Sequence, residues 1–123
     1  MSYKTLLAYQ KSFDLAMEIF HLTKKFPKSE KFSLSSQIIR SSRAVCSAIT
    51  EGYRKRQYVK HFKSKLSDAD SENSETQLWL DFALACEYIS KERKRTLESK
   101  CEEIGKLINY MMFNPEKFGV KKQ

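Results

Sequence analysis

Glycine and proline are scarce, with three Gly and two Pro in 123 residues. An all-β chain needs many turn-formers, and a nucleotide-binding α/β fold needs a glycine-rich loop whose backbone amides approach phosphate. The chain carries no GxGxxG, no Walker loop, no CxxC pair and no HExxH. No run approaches the roughly 18 uninterrupted apolar residues of a spanning helix, so no membrane segment is expected. The N-terminal stretch is interrupted by Lys4, Lys11 and Asp14, which argues against a signal peptide. Three isolated cysteines, Cys46, Cys86 and Cys101, do not make a disulfide framework and point to a reducing, cytoplasmic setting. Acid is also in short supply: 15 Asp and Glu face 23 Lys and Arg, a formal net charge of +8. The 41% of hydrophobic residues suffices for one core, so residues 1–123 read as a single all-α domain.

What is present is helical periodicity. From Leu6 to Phe26, Leu6, Phe13, Met17 and Phe20 form one stripe, and Leu15, Ile19, Leu22 and Phe26 a second. Pro27 ends the helix by forcing its predecessor out of helical geometry. Ser33 or Ser35 is expected to cap a second helix running to about Tyr53. Its anchors are Leu34, Ile38, Val45 and Ile49, and its other inner positions are small: Ser41, Ser42, Ala44, Ser47 and Ala48. Small residues admit a neighbouring backbone, so this helix belongs at the centre, with Gly52 at its end or at a bend. Gln57 to Ile89 contains neither Gly nor Pro and reads as one long helix of roughly 33 residues, about 50 Å. Ser90 caps a fourth helix, striped by Leu97, Cys101, Ile104, Ile108 and Met111, which Asn114-Pro115 stops. Residues 114–123 read as a loose basic tail. Short connections imply an antiparallel up-down-up-down four-helix bundle with a long third helix.

On such a bundle the charge separates into two basic poles. One gathers Arg54, Lys55, Arg56, Lys60, Lys63 and Lys65, with Lys4, Lys121 and Lys122. The other gathers Lys24, Lys25, Lys28, Lys31, Lys91, Arg93, Lys94 and Arg95. Basic residues near helix ends also complement the helix dipole, so solvation alone explains part of the pattern. Clustered Lys and Arg nevertheless gain by releasing counterions from a phosphate backbone. The run Tyr53-Arg-Lys-Arg-Gln-Tyr58 combines cations with aromatics able to stack on bases. The candidate nucleic-acid-binding residues are Arg54, Lys55, Arg56, Tyr58, Lys60 and Lys63.

Between the poles, Ser67–Gln77 holds Asp68, Asp70, Glu72 and Glu75. Antiparallel pairing brings Arg40 near Ser71 and Glu72, Arg43 near Asp68, and Gln37 near Glu75. A polar layer of Gln37, Arg40, Arg43, Asp68, Glu72 and Glu75 is expected, serving register or subunit pairing more than net stability. A carboxylate metal site in a bundle usually recruits histidine, and neither His21 nor His61 lies there. The cysteines are read as small core residues and Trp79 as a packing anchor. No catalytic, cofactor or metal residue is assigned.

Several motifs in order resemble a known family. They are Phe26-Pro27, Leu34-Ser-Ser-Gln37 with Arg40 and Arg43-Ala44, Ile49-Thr-Glu51-Gly52, Phe62 with Leu66, and Ser67 through Leu80. Together they resemble the four-helix proteins encoded in intervening sequences of bacterial 23S ribosomal RNA genes, a family that also includes accessory variability proteins of diversity-generating retroelements. The resemblance implies a homopentameric, barrel-like assembly with a basic surface, and for the retroelement branch binding of nucleic acid and a reverse transcriptase. It supplies no catalytic residues. Two apolar faces on the third helix, Trp79/Phe82/Cys86 and Leu80/Ala83/Leu84, independently fit an oligomer. The expected function is a non-enzymatic oligomeric accessory protein that binds RNA or DNA, RNA favoured, largely without regard to sequence. The alternative is a homo-oligomeric scaffold that docks an acidic protein partner.

Overall fold

The computed structural model describes residues 2–121; Met1, Lys122 and Gln123 lie outside that range, so the tail lysine Lys122 is not placed. Four helices follow in order: α1 (Leu7–Thr23), α2 (Leu34–Arg54), α3 (Val59–Ala85) and α4 (Lys91–Phe113). Short 3-10 turns occupy Tyr3–Thr5, Lys28–Glu30 and Pro115–Phe118. Each helix packs against the next and α1 closes on α4, the antiparallel four-helix bundle that the periodicity predicts. No strand occurs among the described residues.

The core is built from Ile19 of α1, Ile38 and Ile49 of α2, Phe62, Leu66 and Leu80 of α3, and Leu97, Ile104 and Ile108 of α4, all essentially inaccessible. On α1 the Leu15/Ile19/Leu22 stripe turns inward, whereas Phe13 and Met17 of the other stripe face outward. The two apolar faces of α3 divide in the same way. Leu80 and Ala83 are buried, Trp79 is half-buried and Phe82 is exposed. Cys101 is a core residue as expected, but Cys86, at the end of α3, is exposed.

Helix ends depart from the sequence expectation for local reasons. Neither Ser33 nor Ser35 caps α2: Ser33 makes no capping bond, and Ser35 is buried inside the helix. Glu30 does the work instead, its Oε1 accepting from the Leu34 N–H at 3.2 Å. Its Oε2 accepts from the Tyr88 hydroxyl at 2.8 Å, tying the α1–α2 loop to the α3–α4 loop. Ser90 does cap α4, accepting from the Arg93 N–H at 3.0 Å. Helix α3 is shorter than read, starting after an extended Tyr58 and ending at Ala85. There Glu87 adopts φ 63°, and the Tyr88 N–H reaches back to the Ala83 carbonyl at 2.9 Å. This is a glycine-type C-cap built with glutamate, invisible to a reading that looks for Gly.

Gly52 neither ends nor bends α2. It lies inside the helix, where a methyl group would sit 3.3 Å from Lys65 Cβ and 3.5 Å from the Phe62 carbonyl oxygen. Its role is close approach of α2 to α3. The tail is not loose as far as it is described. Phe118 meets the Tyr110 ring edge-on at 6.0 Å, and Val120 is buried. A left-handed Gly119 (φ 84°) folds the segment back onto the bundle.

The middle of α3, polar in sequence, also contributes to the interior. The Ser41 and Thr76 hydroxyls share a hydrogen bond at 2.8 Å, and Thr76 Oγ1 also lies 3.0 Å from the Glu72 carbonyl of its own helix. Asn73 Nδ2 donates to the Cys101 carbonyl of α4 at 2.8 Å. Among the described residues no buried side-chain nitrogen or oxygen lacks a partner. A half-broken pair costs more than a deleted one. Thr76→Val should therefore lower unfolding free energy by about 1–2 kcal/mol, and adding Ser41→Ala should recover part of it, a non-additivity that urea unfolding resolves. Glu87→Gly should raise stability by about 1 kcal/mol by removing the left-handed strain.

Candidate nucleic-acid interface

The turn between α2 and α3 positions the candidate residues. Arg54 closes α2, Lys55 follows, and Tyr58 is the extended residue from which α3 starts. Arg54, Lys55, Lys60 and Lys63 are exposed, and none is in an ion pair among the described residues. Tyr58 is also exposed, its ring packed edge-on against His61 at 5.7 Å. Lys65, one turn further along, is held by Glu51 at 3.0 Å, which raises its pKa.

Two members of the sequence cluster have a structural job. Tyr53 is buried and cannot meet a base. The Arg56 guanidinium lies over its ring at 4.1 Å, and Arg56 Nη1 donates to the Tyr53 carbonyl at 2.9 Å. On its other side Arg56 contacts the position where Gly119 passes without a side chain. Arg56 thus braces the turn against the C-terminal segment. The result is an open depression of about 600 Å³ lined by Arg54, Arg56, Gln57, Gly119 and Lys121.

The opposite pole is more neutralised. Arg93 pairs with Glu18 at 3.1 Å, and Lys94 with Asp81 and Glu98, each at 2.9 Å. Lys24 and Lys31 lie over the Phe20 and Phe32 rings. The other six cations of that pole, Lys24, Lys25, Lys28, Lys31, Lys91 and Arg95, are exposed and make no ion pair among the described residues, so unpaired positive charge is present at both ends of the bundle.

The polar layer is narrower than the sequence implied. Arg40 makes a fork onto Glu72, with Nη1 and Nη2 at 3.0 and 3.1 Å from its two oxygens, and Nη2 also reaches Glu75 Oε1 at 2.6 Å. Trp79 Nε1 donates to the same Glu75 oxygen at 3.3 Å. Arg43 instead stacks on the Phe20 ring at 5.5 Å, Asp68 is exposed without an ion pair among the described residues, and Gln37 is exposed beside Trp79. The inward polar residues that the sequence did not single out are Asn73 and Thr76, whose spacing on α3 (Ala69, Asn73, Thr76, Leu80) was the available signal, whereas Ser41 was expected at an inner position of α2.

Among the described residues no group of three or more His, Cys, Asp or Glu converges as a metal site. Burial pushes the Cys101 thiol up to about 12 and raises that of Cys46, which keeps both protonated and unreactive at neutral pH. Among the described residues no helix is long and apolar enough to cross a membrane.

The Arg40 guanidinium holds the Glu75 carboxyl below its ordinary value of 4.5. A depressed folded-state pKa contributes stability above the unfolded value and loses it as pH falls through the folded one. Arg40→Ala should therefore cost about 1 kcal/mol at pH 7, and the gap from wild type should close as the pH drops below 4, as thermal melting at the two pH values would show.

Comparison with known proteins gives the wider context. A family model for the 23S rRNA-intervening sequence protein matches residues 4–110. The crystal structure of a protein with unknown function from the S23 ribosomal protein family of Bacteroides thetaiotaomicron superposes with a TM-score of 0.78. It is 30% identical, over 86% of this chain and 95% of that one. No curated protein gives a significant match. With the family model covering all four helices and a bundle that superposes over nearly the whole relative, the chain belongs to the 23S rRNA-intervening sequence protein family.

Proposed function

We propose that this protein is a non-enzymatic, oligomeric accessory protein of the cytoplasm that binds nucleic acid, RNA in preference to DNA, largely independently of sequence. The observation that carries this reading is the set of exposed cations around the α2–α3 turn, Arg54, Lys55, Lys60, Lys63 and Lys121, which have no acidic partner among the described residues. Exposed, unpaired cations grouped at one turn suit a phosphate backbone, where each neutralised phosphate releases counterions. The family's ribosomal RNA setting supports RNA as the partner. The absence of a glycine-rich loop leaves helix-borne Lys and Arg as the means of contact.

Self-association is supported by the outward apolar side chains Phe13 and Met17 on α1 and Leu78 and Phe82 on α3. The family resemblance favours five subunits, and light scattering on the purified protein measures the number directly.

Fluorescence anisotropy with labelled RNA tests the binding. Submicromolar affinity at low salt should fall steeply as salt rises, and Arg54→Glu/Lys63→Glu should weaken it at least about tenfold. Micromolar or weaker binding at low salt, or an unaffected double variant, overturns the reading. Arg56→Glu is the poorer probe, because it also unbraces the turn.

A further inference from the structure

The exposed ring of Tyr58 has no packing role that accounts for its position. It stands at the first residue before α3, half accessible, makes no capping bond, and touches only the edge of His61 among aromatic groups. Tyr58 does not pack against the hydrophobic core, and Lys55 and Lys60 lie within three residues of it along the chain. Resting on the nucleic-acid reading above, we infer that this turn takes unpaired nucleotides, with one base stacked on Tyr58 and the adjoining phosphates held by Lys55, Lys60 and Arg54. Lys121, across the depression from Arg54, extends the phosphate path onto the C-terminal segment.

Single strands fit this arrangement better than a duplex. In an A-form duplex the base faces are already stacked on one another, so Tyr58 has nothing to cover. Duplex recognition also favours cations spread across successive grooves, whereas Arg54, Lys55 and Lys60 all lie within four residues of Tyr58. A sequence-tolerant aromatic platform inside a cationic surface is the usual solution for single strands, since every base has a flat face. Arg56 fits the same scheme as a positioning residue. Its clasp on Tyr53 and its contact at Gly119 keep the turn in one shape, so Tyr58 and the lysines are presented together before any ligand arrives.

The test uses the full-length protein with a labelled 20-nucleotide oligo(A) and the same strand annealed to oligo(U). The single strand should bind more tightly than the duplex. Tyr58→Leu, which keeps apolar bulk but removes the π face, should weaken single-strand binding by about tenfold, consistent with roughly 1–3 kcal/mol per stacked base. Tyr58→Phe should retain the affinity, and neither change should alter duplex binding. With these four cations engaged, the logarithmic salt slope on the single strand should be about −2.8. Tyr58 is exposed and outside the core, so circular dichroism melting should show both variants folded. A duplex bound as tightly as the single strand, or an equal loss on both from Tyr58→Leu, overturns the stacking inference while leaving the charge-based reading intact. Binding to neither strand form overturns both.

Discussion

The close approach of α2 to α3 is the constraint from which the other features follow. At Gly52 the two backbones come within range of a single methyl group, and further along the seam the Ser41 and Thr76 hydroxyls meet directly. Helices that pack this tightly cannot bury unsatisfied hydroxyls, so Ser41 and Thr76 must answer one another. The same proximity brings Arg40 of α2 within reach of both Glu72 and Glu75. It also makes the connecting turn short, which crowds the basic residues flanking it into one place.

Charge in the bundle is sorted by use. Glu18 receives both Arg93 and Lys100, and Lys11 pairs with Glu103, so the α1–α4 seam is laced by opposite charges. At the α2–α3 turn only Lys65 finds a carboxylate nearby, and the remainder face solvent. Surface pairs contribute little to stability individually. Here they link neighbouring helices, and exposed unpaired cations remain at both ends of the bundle.

Much of the fold was legible from periodicity. Stripes such as Leu15/Ile19/Leu22 and Leu97/Cys101/Ile104/Ile108 repeat at helical spacing, and the four-helix order followed from them. Helix ends were less legible, because the signals sit in unusual residues: Glu30 caps α2 from four positions upstream, and Glu87 fills a glycine role. In the candidate site, Arg54, Lys55 and Tyr58 at the α2–α3 turn and Lys60 and Lys63 at the start of α3 are exposed, but the sequence could not separate Arg56 from them. Its assignment depends on the Tyr53 carbonyl and on Gly119, more than sixty residues away along the chain. The acidic segment misled in a similar way. Four carboxylates drew attention from Asn73 and Thr76, which are the residues that face inward.

The glycine-width seam between α2 and α3 has a mechanical consequence. Two helices locked at that distance leave the turn joining them no slack, so the surface that carries Arg54 and Tyr58 cannot reshape itself around what it meets. The entropy lost in forming a complex then falls on the other molecule. Association at such a surface is governed by how readily the ligand adopts a complementary path, which makes ligand flexibility, rather than protein rearrangement, the determinant of rate and selectivity there.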